Sequence, residues 1–340
     1  MNIAVDAMGG DYAPQAAVLG AIEAALELGI KVTLVGSGDV IQKELASHPS
    51  AGCVSIFHCS EKIQMDEAPL KALRQKKDSS IMVAFDLVKR GDADAVVSAG
   101  NSGATLASAV LALGKIEGVE RPAIAGVFPV ESGYVLLMDV GANVDCRPTH
   151  LFQFGAMAHV FAESCLGMKN PSIGLLSIGE EGAKGNELVR LARLLLEQSR
   201  MNFIGNVEGR DIFAGDVSII ICDGFVGNVA LKLSEGMAEA MTGWLKSELK
   251  NSLAGKAALL LGRRSFENFK RKLNYEEYGG APLLGINGVG IICHGKSSAS
   301  AIKNAIRLAV QYVNNRLMDN MVRQLPLWLK NQQAMGGHNN

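Results

Sequence analysis

The chain has 340 residues, 48% of them hydrophobic, enough apolar material to fill a large core. Charged residues make up only 20% and the formal net charge is −1, so the overall balance gives no electrostatic footprint for nucleic acid. No run approaches the roughly 18 apolar residues of a spanning helix, and MNIAVDAMGG reads as a first strand and not a signal peptide, so the chain is expected to be soluble or at most to sit on a membrane surface.

Short apolar, β-rich runs alternate with longer stretches of helical period, which predicts stacked β-α units around a largely parallel sheet. Strands are expected at 2–6, 31–36, 53–59, 94–100, 124–130, 134–141, 172–179, 202–207, 216–224 and 288–295. Helices are expected at 13–29, 79–90, 102–114, 149–168, 183–199, 226–250 and 297–316. Open α/β sheets hold ligands beyond the carboxyl ends of their strands. Six such ends carry polar residues beside glycine: DAMGGDYAP (6–14), SAGNSGA (98–104), DVGANVD (139–145), GEEGAKGN (179–186), CDGFVGN (222–228) and CHGKSSA (293–299). Together they are expected to share one pocket, although glycine and asparagine at any one of them also suit a tight turn.

In the first loop, Gly9 and Gly10 permit close backbone approach, and Asp6 and Asp11 are placed to cap the following helix or orient a basic partner. The loop is not GxGxxG, and GSGDV at 36–40 lacks the third glycine, so a dinucleotide site is poorly supported. In the second loop, Asn101, Ser102 and the amides following Gly103 open a helix, an arrangement that binds phosphate without a metal. Ser102 as a nucleophile would need a partner from elsewhere, such as His294. Lys184 stands among small residues at a helix start, where its charge can face an oxyanion or simply solvent. His294, ending an apolar strand ahead of GKSS, is either a structural histidine or an acid or ligand clamp, and Asp223 and Asn228 lie on the same rim. Asp139 and Asp145 are of metal-ligand type, but no HxH, DxD or cysteine pair supports a metal site. The six cysteines, Cys53, Cys59, Cys146, Cys165, Cys222 and Cys293, include no CxxC pair, which suits reduced thiols in a cytosolic protein.

Two basic segments remain. Lys71, Arg74, Lys76 and Lys77 fall in DEAPLKALRQKKDSS (66–80), a solvated loop or a patch for a phosphate or an acidic protein. A second basic stretch, 246–272, surrounds the apolar tip LAGKAALLLG (253–262), whose Leu253, Leu259, Leu260 and Leu261 suit either shallow insertion into an anionic membrane or packing against a second subunit.

Taken in order, IAVDAMGGDYAP, MDEAPLKALRQKKDSSIMVA, VVSAGNSGATLA, LLMDVGANVDCRP, IGEEGAKGN, CDGFVGNVALK and YGGAPLLGINGVGIICHGKSSA resemble the PlsX family of phosphate acyltransferases over residues 1–330. Members transfer a fatty acyl group from acyl carrier protein to inorganic phosphate for phospholipid synthesis. The resemblance implies a three-layer α/β/α sandwich with a mixed, largely parallel sheet, similar to isocitrate and isopropylmalate dehydrogenases and to phosphotransacetylase. It further implies one catalytic domain over 1–325 in two interlocked halves, a basic helical hairpin at about 235–273 and a flexible tail at 326–340. Expected with it are a homodimer, a cytoplasmic location with peripheral attachment to the inner membrane surface, a downstream glycerol-3-phosphate acyltransferase as a further partner, and no cofactor. In that chemistry Lys184 and the 101–104 amides stabilise phosphate and oxyanion. Asn143, Asn186 and Asn228 position the thioester or pantetheine arm, and His294 protonates the leaving sulfur. Competing readings are a phosphotransacetylase acting on short acyl-CoA, a non-catalytic scaffold that binds acyl carrier protein at a membrane, and a metal-dependent decarboxylating dehydrogenase.

Overall fold

The computed structural model describes residues 1–48, 51–130, 133–252 and 279–336, with Gly255, Leu261, Gly262, Arg264 and Phe266 between the last two. Among the described residues eleven strands form one sheet. In chain order they are β1 (Asn2–Asp6), β2 (Lys31–Gly36), β3 (Val54–His58), β4 (Ala95–Ser98), β5 (Ala123–Val130), β6 (Gly133–Met138), β7 (Ile173–Leu176), β8 (Phe203–Val207), β9 (Ile219–Ile221), β10 (Ala281–Leu284) and β11 (Val289–Ile292). The helices are α1 (Gln15–Leu28), α2 (Gly38–Leu45), α3 (Pro69–Gln75), α4 (Ser80–Arg90), α5 (Ser102–Leu113), α6 (Pro148–Cys165), α7 (Glu187–Glu197), α8 (Asp211–Ala214), α9 (Gly224–Lys250), α10 (Ala299–Asn314) and α11 (Leu317–Gly336).

Spatially the strands run β3-β2-β1-β4-β11-β10-β5-β6-β9-β7-β8. Because side chains alternate across a strand, each strand feeds two cores. Ile3, Val5, Leu136, Met138, Ile219 and Ile221 pack under α1, α6, α7, α10 and α11. Their neighbours Ala4, Val135, Leu137 and Ile220 pack under α3, α4, α5 and α8. The result is the expected three-layer sandwich.

Strand direction departs from the simple expectation. β3, β2, β1, β4 and β11 are mutually parallel, as are β6, β9, β7 and β8. Between these wings, β10 is antiparallel to both β11 and β5, and β5 is antiparallel to β6. The β5–β6 hairpin therefore reverses the second wing. Its carboxyl ends emerge at the opposite ends of the strands from those of the first.

The C-terminal segment corrects another expectation. Residues 326–336 continue α11 and are not a loose tail: Leu325 and Leu329 are buried, and the Trp328 ring meets His159 of α6 with centroids 4.7 Å apart. The expected hairpin at 235–273 begins inside α9, and most of its remainder lies outside the described residues. All six cysteines are free thiols.

The buried His159 predicts a pH effect on stability. Its imidazole lies beside Glu163 at 3.5 Å, yet burial outweighs that carboxylate and holds its pKa below the usual value. Folding thus favours the neutral ring. This contribution to stability is complete above about pH 6.5 and is eroded as the pH falls through the folded-state pKa, because the unfolded chain then binds the extra proton. Thermal unfolding from pH 8 to 5 should show a steeper loss for the native chain than for His159→Gln. Parallel curves would remove His159 as a cause.

Candidate functional site

At the first wing's carboxyl end, Asp6 ties two loops together. Its Oδ1 accepts the Met8 amide at 3.1 Å, and its Oδ2 accepts the Ser98 hydroxyl at 2.8 Å, while the Gly100 amide donates to that same hydroxyl at 3.1 Å. Burial raises the Asp6 pKa against these bonds. Gly9 lies so close that a Cβ there would fall 2.5 Å from Asp6 Oδ2 and 2.7 Å from the Gly100 nitrogen. Asn101 caps α5, its Oδ1 accepting the Ala104 amide and its Nδ2 donating to the Met65 and Glu67 carbonyls. Asp11 donates its amide to the Gly295 carbonyl at 2.7 Å, drawing in the loop that holds His294. The His294 ring is half-buried, its Nδ1 accepting the Lys296 amide. Asp6, Gly9, Gly10, Asp11, Asn101, Ser102, Gly103 and His294 thus lie around the ends of β1, β4 and β11.

The second group, Asn143, Lys184, Asn186, Asp223 and Asn228, gathers at the reversed ends of β6, β7 and β9. One pocket within the chain is therefore not what the fold provides. The axis of α5, about 18 Å long at 1.5 Å per residue, starts in the first group and ends at Gly114, beside the β10–β11 turn at Asn287. That turn lies on the second group's side of the sheet.

Asp139 organises this second end. Its carboxylate accepts the amides of Ile124, Gly141, Ala142 and Asn143 and the Asn143 side chain, at 2.7–3.1 Å. Helix α9 sits directly on the turn: a Cβ at Gly227 would fall 1.9 Å from the Asp139 carbonyl oxygen. Asn143 is 4% exposed, and its Nδ2 also donates to the Pro122 carbonyl at 2.8 Å. Its amide group is thus held inside the turn, which corrects the expectation that it positions a thioester.

Beside this turn lies an open cavity of about 390 Å³, lined by Val144, Asp145, Cys146, Asn186, Leu188, Asp223, Phe225 and Val226. Asn186 and Asp223 reach it while capping α7 and α9, accepting the amides of Val189 and Val226 at 2.9 Å. The ends of both helices and their partial positive charge are thereby brought to the same opening. Lys184 is exposed two residues before Asn186, its stem against Gly179. Asn228 is exposed on the second turn of α9 beside Gly141. The Cys146 thiol is pushed up to about 12 by burial, with the Asp139 charge adding to it, so it is not a ready nucleophile. Sequence reasoning missed Val144, Leu188, Phe225 and Val226. The signal lay in the motifs themselves, whose polar members drew all the attention.

Of the basic patch, Lys71, Arg74 and Lys77 are exposed. Lys76 is not available in the same way: its ammonium donates to Glu67 at 2.6 and 2.7 Å and to the Lys62 carbonyl at 2.9 Å, closing its own loop. Leu261 is 88% exposed, while Leu253, Leu259 and Leu260 lie outside the described residues. Among the described residues no helix is long and apolar enough to cross a membrane, and no cluster of three His, Cys, Asp or Glu is arranged for a metal.

The fold is shared with phosphotransacetylases and with a 4-hydroxythreonine-4-phosphate dehydrogenase. A EutD phosphotransacetylase from Staphylococcus aureus superposes with a TM-score of 0.58 at 16% identity, over 92% of this chain and 93% of that one. A phosphotransacetylase from Streptococcus pyogenes gives 0.58 at 18% identity, over 92% and 94%. A 4-hydroxythreonine-4-phosphate dehydrogenase from Klebsiella pneumoniae gives 0.53 at 14%, over 91% and 99%. At these identities the likeness is one of scaffold, an α/β architecture that carries both transferases and dehydrogenases. Sequence narrows the class. The family model described as "Fatty acid synthesis protein" matches residues 1–320. A protein of Geotalea uraniireducens named phosphate acyltransferase is 53% identical over 340 residues, 98% of each chain. One of the same name from a Geobacter species (strain M21) is 54% identical over 331 residues, covering 96% of this chain and 94% of its own. The chain belongs to this family of transferases, the one its motifs resemble.

Proposed function

We propose that this chain transfers a fatty acyl group from acyl carrier protein to inorganic phosphate, producing the acyl phosphate used in phospholipid synthesis. The observation that carries the reading is identity above one half, over nearly the whole chain, to proteins named phosphate acyltransferase. A phosphate oxygen attacks the thioester carbonyl, the tetrahedral oxyanion collapses, and the pantetheine thiolate departs with the C–S electron pair. A free thiol has a pKa of about 8.5, so the sulfur leaves without obligatory protonation. The demands on the protein are therefore orientation and charge stabilisation. Lys184 supplies the cation for phosphate and oxyanion, the Asn186 and Asp223 helix ends frame the cavity, and Asn228 holds the thioester or its pantetheine arm. Exposed Lys71, Arg74 and Lys77 offer the acidic carrier protein a docking patch.

His294 and the 101–104 amides stand at the other ends of the strands, so any role for them in the same reaction requires a second copy of the chain. That gives the proposed homodimer a specific task. Attachment to an anionic membrane surface through the 253–262 tip, and delivery to a glycerol-3-phosphate acyltransferase, complete the proposal. The rival reading, acetyl transfer from acetyl-CoA, draws on the phosphotransacetylase scaffold. Purified enzyme is expected to form acyl phosphate from palmitoyl carrier protein and phosphate at least a hundredfold more efficiently than from acetyl-CoA. The opposite preference would replace this proposal with the rival.

A further inference from the structure

The loop that carries Lys184 rests on incompletely bonded polar groups. Among the described residues seven buried side-chain atoms lack a hydrogen-bond partner, and three of them, Ser177 Oγ, Arg193 Nη1 and Asn206 Oδ1, belong to side chains that meet residues 181–185. A Cβ at Gly185 would fall 3.0 Å from Ser177 Oγ, and one at Gly182 would fall 2.8 Å from Arg193 Nη1. Asn206 is buried in β8, yet only the donating half of its amide is used. Its Nδ2 donates to the Glu181 carbonyl at 3.0 Å, and that same carbonyl accepts the Lys184 amide at 2.9 Å. A carbonyl oxygen has two lone pairs and can serve both donors. The turn that bears Lys184 is thus fastened to the sheet through one side chain. A second tie, from Arg210 to Glu180 at 2.9 Å, is an exposed ion pair of the kind that contributes little.

We infer that Asn206 is a positioning residue for the acyl transfer: by holding the Glu181 carbonyl it fixes the turn from which Lys184 extends, and with it the place of the ammonium. This rests on the acyl-transfer reading above and on the role that reading gives Lys184. Burying an amide with its oxygen unpaired is unfavourable, and a hydrocarbon of similar size would suit β8 better, so stability supplies no reason for asparagine at this position. The bond to the Lys184 turn supplies one. An exposed lysine has a flexible stem, so where its charge stands depends on the backbone that bears it. A displacement of about 1 Å in a group that meets the reacting atoms can cost on the order of a hundredfold in rate.

The test places Asn206→Leu and Asn206→Ala in the native chain and in Lys184→Ala. Each form is measured for kcat/KM of acyl phosphate formation from palmitoyl carrier protein and phosphate, and by thermal melt. Leucine is close to asparagine in size and leaves the Glu181 carbonyl paired with the Lys184 amide, so Asn206→Leu should melt at or above the native temperature. Its kcat/KM should nonetheless fall about tenfold. In the Lys184→Ala background the same substitution should change the rate by less than about twofold, because the group it positions is gone. Native activity in a folded Asn206 variant overturns the inference. So does an equal loss in both backgrounds, which would make Asn206 act independently of Lys184, and so does failure of both Asn206 variants to fold, which would make it a purely structural residue. Native activity in Lys184→Ala removes the group to be positioned and overturns the inference at that step. A native enzyme that makes no acyl phosphate refutes the acyl-transfer reading itself, a result distinct from the others.

Discussion

Lys184→Ala is expected to reduce kcat/KM for acyl phosphate formation by roughly a hundredfold to a thousandfold, the usual cost of deleting one preorganised donor to a developing oxyanion. Its side chain is exposed and covers no core, so the melting temperature should stay within a degree or two of the native value. Two properties tie the effect to charge. Lys184 lies two residues before Asn186, which caps α7 and lines the cavity, and no described ion pair involves Lys184. Lys184→Arg should recover part of the rate, because the cation persists while its shape changes. Steady-state kinetics with saturating carrier protein and varied phosphate would separate the roles: a defect confined to the phosphate KM assigns Lys184 to ground-state binding, and one in kcat assigns it to the transition state. An alanine variant within threefold of native activity would remove Lys184 from the reaction.

The second large effect concerns stability. Asp139→Ala should destabilise the fold by about 3 kcal/mol, because four backbone amides and the Asn143 side chain lose their acceptor in a buried turn, and each unsatisfied buried donor costs about 1–3 kcal/mol. The loss stays well below the sum of these penalties for an identifiable reason. Burial pushes the Asp139 carboxyl above its usual range, so the native protein already holds this charge against desolvation, and alanine relieves that cost. Asp139→Asn should also be damaging, since its new amide donors would face other donors. Urea denaturation with a two-state fit is the measurement. A loss below 1 kcal/mol for alanine would show that water replaces the carboxylate in the turn.

Much of the fold is legible in the sequence, for physical reasons that can be named. Runs such as VSIIIC and YVLLM are apolar on both faces, as strands sandwiched between helical layers must be. Asn101 is recognisable as a residue at a helix start and does cap its helix, whereas Asn186 and Asp223 cap helices whose starts lie a few residues from where the pattern puts them. What failed was direction. The short strand β10, with Pro282 inside it, looks like loop, and the β5–β6 pairing is a local hairpin whose global consequence, the reversal of the second wing, is not written in either strand. Six loops that look equivalent in sequence therefore divide into two groups. Asn143 misled for a related reason: beside glycine and aspartate it has the composition of a site, but whether an amide faces a cavity or its own turn depends on Pro122, twenty-one residues earlier. Helix α11 was missed because Pro326 interrupts its pattern.

The place of β10 and β11 also bears on how the chain is made. β4 ends at Ser98, but its neighbour in the sheet, β11, does not begin until Val289. β5 likewise meets β10 only at Leu283 and Leu284. During synthesis from the N-terminus, both wings can be assembled while the seam between them is still missing. Until residues 281–292 emerge, β4 and β5 present unpaired edges to solvent, the kind of exposed strand that recruits other chains. Closing that seam joins contacts distant in sequence, so it should be the slow, committing event of folding, and a ribosome-bound chain that stops short of it is the form most in need of chaperone protection.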